Sequence, residues 1–403
     1  MIEIGSTVAG PFCGRMLADF GAEVIKVEPA EGDALRTMGK QYKGHSLYAA
    51  SMFRSKRLVS IDLNRDEGRA IVLELVAKAD VVVENFKPGT LEAWGLGWEQ
   101  LSRLNPRLVM VRISGYGQDG PYSARPGYGV ICEAVSGMRH LTGDPDRPPS
   151  RVAVSLTDYI TGLHGAFGAV MALMARGATG RGQFVDAALY ECAFNFMEPW
   201  IPAYQKLGHV AGRAGSRLAE SNPNNLYPTA DGEHVHITAM ADGLFRKLAR
   251  AMGRPELATD PRFAKALDRN RHADALDEII AGWTLRMPLA EIERILKDAA
   301  VPATRIYTIA DIFKDPHYTA RRSIVEVSDP ELGPVAMATV VPRLSGTPGT
   351  IRHAGHRVGE DTRTVLAEVL GYDEARIDAL AAAGVVTCRG EPMKRLQADE
   401  EQA

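Results

Sequence analysis

One acidic residue sits where an apolar run turns into a long pattern of small and apolar residues. The stretch is RVAVSLTDYITGLHGAFG, residues 151–168, and the acid is Asp158. Residues 152–156 read as a short strand, and those after Asp158 read as an apolar helix. Thr157 or Asp158 suits the cap of that helix, because both side chains accept hydrogen bonds from the free N–H groups of a first turn. The same place suits a nucleophile. Ligands of α/β proteins gather where strands run into helices, and a carboxylate there can attack an activated carbonyl. Local sequence leaves both readings open.

The other reactive residue types narrow the chemistry. Cys13, Cys132, Cys192 and Cys388 form no CxxC, and no dense His/Cys cluster accompanies them. A disulfide scaffold and a metal site are therefore not expected, and a reducing compartment fits. Arg54, Lys56 and Arg57 form a basic turn before a strand. Such a turn is either solvated or meets a phosphate through the donor fork of arginine. Gly5, Gly10 and Gly14 do not make GxGxxG, which argues against a dinucleotide site. A formal net charge of −3 offers no bulk basic surface for nucleic acid. No signal peptide is visible, and the longest apolar stretch, 167–175, is too short to span a bilayer. A cytoplasmic protein without a membrane or nucleic-acid partner is expected.

A chain of 403 residues with 45% apolar and 24% charged content can bury two or three cores. Strands are expected at 2–4, 23–28, 58–63, 80–84 and 108–113. Helices between them are expected at 12–20, 66–79 and 91–104, an alternation that predicts an α/β fold. The glycine-rich run 114–129 reads as a loop offering backbone to a ligand. A helix at 131–138, a strand at 183–185 and a helical run at 187–204 follow. After residue 207 the character changes. A polar linker or flap (208–228), a strand (234–238) and helices at 244–252, 272–283 and 289–299 suggest a smaller second domain, with 302–309 as the route back. Strands at 324–327 and 338–342, helices at 360–368 and 372–382, and a frayed tail at 394–403 complete the reading. The expected domains are 1–207, 208–309 and 310–403, the first and last forming one large domain.

Five segments occur in the order of a known family: AGPFCGRMLADFGAEVIKVE, NFKPG, SGYGQDGPY, LTDYITG and GRGQFVDAALYE. Across essentially its whole length the chain resembles the class III CoA-transferases, the group of formyl-CoA and carnitine-CoA transferases that also includes the α-methylacyl-CoA racemases. The resemblance implies a doubly wound, Rossmann-like large domain with a smaller inserted α+β domain. It implies an interlocked homodimer with active sites at domain and subunit boundaries. It implies acyl-CoA and a small carboxylic acid as substrates, with no tightly bound cofactor. Asp158 falls on the catalytic aspartate, which would pass through an acyl anhydride and an aspartyl-CoA thioester. Tyr128 flanks that site, where its hydroxyl would contact substrate. Val8, Ala9, Asn85, Phe86, Lys87 and Pro88 fall on the CoA surface, near the end of the second strand at Lys26 and Glu28. Arg36, Lys56 and Arg57 become candidates for the CoA phosphates.

The chain also departs from the family pattern. It starts almost on the first strand, where members usually have further residues, so a truncated start is one expectation. Gly129 stands where many members carry an acid. Tyr128 stands where the racemases have a histidine, and racemisation needs an acid and a base on opposite faces. His140 and His164 do not match that motif, so racemase or isomerase chemistry is the lesser alternative. GSRLAESNPNN lacks the glycine run of formyl-CoA transferase, and Val8 replaces its glutamine. Both argue against formyl-CoA and oxalate and favour another acid, such as the dicarboxylate succinate. Arg15, Arg213 and Arg217 are then candidates for a second carboxylate. A CoA-binding protein without turnover is the non-enzymatic alternative, and the retained Asp158 weighs against it.

Overall fold

The computed structural model describes residues 1–355 and 357–388. The expected tail at 394–403 lies outside the described residues. The chain forms two compact units. The first comprises 1–138, 152–206 and 322 onward, and the second comprises 139–151 and 207–321.

The first unit is built on seven strands: β1 (Ile2–Glu3), β2 (Ile25–Glu28), β3 (Arg57–Ile61), β4 (Val81–Glu84), β5 (Val109–Ser114), β6 (Phe184–Ala188) and β7 (Val386–Thr387). Their spatial order is β7-β3-β2-β1-β4-β5-β6. The first six are parallel, and β7 closes one edge antiparallel to β3. Strands 2 to 5 are buried almost throughout, as parallel strands covered on both faces must be. That is why valine, isoleucine, leucine and methionine dominate them, with Lys26, Ser60 and Arg112 as the polar exceptions inside them.

Alternate residues of these strands feed two cores. Ile25, Val59, Val82 and Met110 meet helix α2 (Asp66–Ala77) through Ile71, Val72 and Leu75, joined by Val365 and Leu366 of a late helix. Val81, Val83, Val109, Val111 and Ile113 face the other way. They meet Cys13 of helix α1 (Ala9–Asp19), together with Ala166, Ala169 and Ala172. Each fully buried aliphatic side chain of this kind contributes about 1.5–3 kcal/mol. The sheet is thus doubly wound, as expected.

Local differences have physical causes. The expected helix 91–104 is two helices, Thr90–Ala93 and Trp98–Leu104, because Gly95 turns the backbone to φ +70° between them. The expected strand 338–342 lies earlier, as Gly333–Ala338, paired antiparallel with Ile324–Asp329. Among the described residues no helix is long and apolar enough to cross a membrane.

The second unit holds a three-stranded antiparallel sheet, with His234–Thr238 between Asn224–Pro228 and Ala303–Arg305. Val235, Ile237, Phe245, Leu248, Leu276, Ile280, Ile292 and Leu296 form its core. The stretch expected as a linker therefore supplies a strand. The unit is longer than 208–309 at both ends. Segment 139–151 joins it because Gly215 N–H donates to Gly143 O (3.0 Å) and Arg213 Nε donates to Asp144 O (3.0 Å). At the far end, Thr308 and Asp315 cap two short helices that extend the unit to residue 321.

Candidate functional site

The strand order reverses between β1 and β4. Chain segments leaving these two strands diverge, and a crevice opens beyond their carboxyl ends. A cleft of about 420 Å³ lies there. The turn after β1 (Ser6 to Ala9) and the Asn85–Phe86–Lys87–Pro88 run after β4 form two of its walls. The end of β5 with Gly115, the stretch Arg125 to Tyr128, Leu189 after β6, and Asp158 complete it.

The turn after β1 is held from two sides. Thr7 adopts φ +67°, a left-handed conformation that costs a threonine strain. Its N–H donates to both carboxylate oxygens of Asp33, at 3.0 and 3.2 Å. Lys26 donates to Gly5 O (2.7 Å) and to Asp33 Oδ2 (2.8 Å). From the other side, the Asn85 side chain pairs with the backbone of Ser6. Its Oδ1 accepts the Ser6 N–H (2.7 Å) and its Nδ2 donates to Ser6 O (2.8 Å). Val8 and Ala9 are 3% and 2% exposed, so what they offer the cleft is backbone at the start of α1. First-turn N–H groups of a helix have no intrahelical acceptor.

A closed set of charges lies under this turn. Lys26 and Lys56 both reach Glu3 (3.2 and 2.7 Å), and Lys56 also donates to Pro11 O (2.7 Å). Arg36 grips Glu28 with two bonds of 2.6 Å, and Glu28 accepts the Asp33 N–H. Coulombic attraction to Lys26 and hydrogen bonds hold the Asp33 carboxyl below the usual carboxylate range, against burial, which raises it. Burial pushes the Lys56 ammonium down to about 8, even beside Glu3.

Asp158 lies in the first turn of helix α3 (Leu156–Thr179). The expected strand at 152–156 is not formed. Residues 153 and 154 are exposed bends, and the helix already begins at Leu156, with Ser155 in the N-cap position. Neither Thr157 nor Asp158 is therefore the cap residue. A carboxylate in a first turn is favoured by the helix dipole. Helix α3 can lie close over α1 because Gly162 has no side chain: a Cβ there would stand 2.7 Å from Ala9 O. A second glycine shapes the carboxylate's own surroundings. A Cβ on Gly129 would stand 2.0 Å from Asp158 Oδ2. The position that departs from the family pattern is thus filled by the Asp158 carboxylate itself. Burial, with the Asp158 charge second, pushes the Cys132 thiol up to about 11. Tyr128 borders the same cleft and is 73% exposed, with its ring available to a ligand.

Of the expected site residues, Asp158, Tyr128, Val8, Ala9, Asn85, Phe86, Lys87 and Pro88 come together around this cleft. The Asn85 side chain is engaged by the Ser6 backbone. Arg36, Lys56 and Arg57 do not line the cleft. Lys56 is fully buried on Glu3, and Arg36 is engaged by Glu28. Arg57 stands at the opposite, amino end of β3, paired with Glu23 and Glu368. Arg15 packs over Phe12 beside Asp19. Arg213 and Arg217 serve the second unit, Arg217 through Asp274 and Asp277.

The cationic side chains that do line the cleft are Lys87 and Arg125. Arg125 was hidden within a glycine- and proline-rich loop, and its sequence signal was only a tyrosine three residues earlier. A neighbouring cavity of about 510 Å³ continues along the ends of β1, β2 and β3, sharing Ser6 and Phe86 with the cleft. No group of three or more His, Cys, Asp or Glu side chains placed to hold a metal occurs among the described residues.

Comparisons with known proteins agree on one family. The model described as CoA-transferase family III matches residues 1–362. The succinyl-CoA–D-citramalate CoA-transferase of Chloroflexus aurantiacus is 48% identical over 388 residues, covering 96% of each chain. The beta subunit of the succinyl-CoA–L-malate CoA-transferase of the same organism is 44% identical over 391 residues, again covering 96% of each chain. A CAIB/BAIF family protein from Brucella suis superposes with a TM-score of 0.81 at 34% identity, covering 91% of this chain and 97% of that one.

Proposed function

The chain belongs to CoA-transferase family III, an enzyme family that moves CoA between an acyl-CoA and a carboxylic acid, and we propose that Asp158 is its covalent carrier. The observation that supports this reading is the meeting of Asp158, Tyr128, the Val8–Ala9 turn and the 85–88 run around one cleft at the switch point.

In the proposed cycle an Asp158 oxygen attacks the thioester carbonyl of the donor. The C–S bond breaks, CoA leaves as thiolate, and a mixed anhydride of donor acid and Asp158 remains. The thiolate attacks the Asp158 carbonyl. The anhydride C–O bond breaks, the donor acid departs as carboxylate, and Asp158 carries CoA as a thioester. The acceptor carboxylate then attacks that carbonyl and frees the thiolate, which attacks the acceptor acyl carbon. Acceptor-CoA departs and the Asp158 carboxylate is restored. Each attack is intramolecular or within one enclosed site, which supplies much of the rate. Backbone N–H groups at the start of α1 suit the negative charge that develops on each attacked carbonyl.

CoA would lie along the cleft and the neighbouring cavity, passing Ser6 and Phe86, with Lys87 the cation for its phosphates. Succinyl-CoA is the proposed donor and a hydroxylated dicarboxylate of the citramalate or malate type the proposed acceptor, following the substrates printed in the relatives' names. A homodimer is proposed as the working form. Leu163, Phe167, Val170, Met171 and Met174 leave one side of α3 exposed and apolar, as a subunit contact requires. A monomeric mass by light scattering at micromolar concentration would exclude it.

The deciding test is a panel of acyl-CoA donors and carboxylate acceptors followed by mass spectrometry. Wild type is expected to transfer CoA and to show a CoA adduct on the peptide holding Asp158. D158A and D158N are expected to lose both, and transfer by D158A near the wild-type rate would defeat the mechanism.

A further inference from the structure

Arg125 differs from three other arginines of the first unit in what it touches. Arg36, Arg54 and Arg112 are each committed to a carboxylate, Glu28, Asp19 and Glu84 respectively. The Arg125 guanidinium has no carboxylate partner among the described residues. Its carbon lies 3.6 Å from the centroid of the Tyr122 ring.

This contact belongs to an aromatic platform. Tyr122 meets Tyr116 edge-on at 5.8 Å, and Tyr116 lies 6.1 Å from Tyr190. The Arg125 N–H donates to Tyr122 O (2.8 Å), so backbone and side chain fix the same turn. Stacking occupies the face of a guanidinium and leaves its edge, with its fork of N–H donors, for a planar anion. The platform restricts the side chain before any ligand arrives, which lowers the ordering cost of binding.

Position divides the labour between the two cleft cations. Lys87 adjoins Phe86, which is shared with the second cavity. Arg125 lines the cleft with Tyr128 and Asp158 and does not line that cavity. Charge points the same way. Once Asp158 has become an anhydride or a thioester it carries no charge, and the acidic side chain of the cleft is neutralised. A dicarboxylate entering then brings one carboxylate to attack and a second that needs a cation.

We propose that Arg125 binds that second carboxylate and makes the site selective for dicarboxylic acids. The inference rests on reading the cleft as the CoA-transfer site. A bidentate arginine–carboxylate pair in a partly enclosed cleft carries enough energy to set the preference.

The test compares inhibition constants of succinate and butyrate, acids of equal chain length, on wild type, R125Q and R125K. CoA affinity is measured by calorimetry on the same proteins. Wild type is expected to favour succinate strongly. R125Q is expected to weaken succinate at least about 20-fold, leave butyrate within about twofold, and leave CoA affinity unchanged. R125K, which keeps the charge without the fork, should fall between. An unchanged succinate-to-butyrate ratio in R125Q would overturn the proposal. So would a weakened CoA affinity, which would place Arg125 on the nucleotide. D158A run alongside separates the two levels: transfer by that variant would show that the site reading has failed, whatever Arg125 does.

Discussion

Under the turn after β1, three acids and three bases lie paired: Glu3, Glu28 and Asp33 with Lys26, Lys56 and Arg36. In the cleft that the same turn borders, Lys87 and Arg125 are exposed and carry no ion pair among the described residues. The residue types are alike and the uses are opposite. A charge buried in the first region must be compensated on the spot, because leaving water costs several kcal/mol per ion. A charge in the second keeps its hydration until a ligand replaces it, so its attraction is still available for binding. Phe53 packs within the first set, with the cations of Lys26, Arg36 and Lys56 at 4.7, 5.2 and 5.6 Å from its ring.

The sharpest way to break this contrast is to remove one buried partner. Glu3→Ala leaves Lys56 without a carboxylate and Lys26 with Asp33 alone, and is expected to cost about 3–5 kcal/mol of stability, read from denaturant melts. A loss under about 1 kcal/mol would show that the pairing is not what compensates these charges.

Glu84 gives an intermediate case. It is buried at the end of β4, accepts from Arg112 Nε (3.0 Å) and the Phe86 N–H (2.8 Å), and burial nevertheless pushes its carboxyl up to about 7. The folded state then holds a proton that the unfolded chain releases nearer pH 4.5. Stability from this group is complete below that lower value and is lost as pH rises through 7, by on the order of 3 kcal/mol. Glu84→Gln imitates the protonated form. The stability of wild type relative to E84Q should therefore fall between pH 5 and pH 8, and a gap that is constant or grows would reverse the assignment.

The smallest effect separates the two kinds of basic residue directly. Lys87→Ala should weaken CoA binding several-fold at low salt and less at high salt, with an unchanged melting temperature. Arg57→Ala removes two exposed pairs and should change stability by under about 1 kcal/mol and CoA affinity not at all. Equal effects on CoA from both variants would erase the distinction.

The strands are readable in the sequence because Val81 to Val83 and Val109 to Val111 are apolar without a break, as suits strands buried on both faces. Residues 152–156 carry a similar alternation but find no strand to pair with, and the helix claims Leu156 instead. Asp158, Tyr128 and the 85–88 run were legible because local motifs carry them. The basic residues were not, since their partners are remote. Lys56 finds Glu3 across 53 positions and Arg57 finds Glu368 across 311, so a basic turn looks the same whether it waits for phosphate or is already engaged. In the sequence Gly129 stands where many family members carry an acid. Only the three-dimensional arrangement places the Asp158 carboxylate where its side chain would be.

The side chain of Asn85 has a mechanical consequence. A doubly wound sheet has its natural seam where the strand order reverses, and prying β1 from β4 would be the obvious way to widen the crevice. The two hydrogen bonds from Asn85 to Ser6 act as one more rung across that seam, just beyond the last paired residues of the strands. The two banks are thereby stitched into a single rigid bank. The crevice is therefore closed along this seam by side-chain as well as backbone hydrogen bonds.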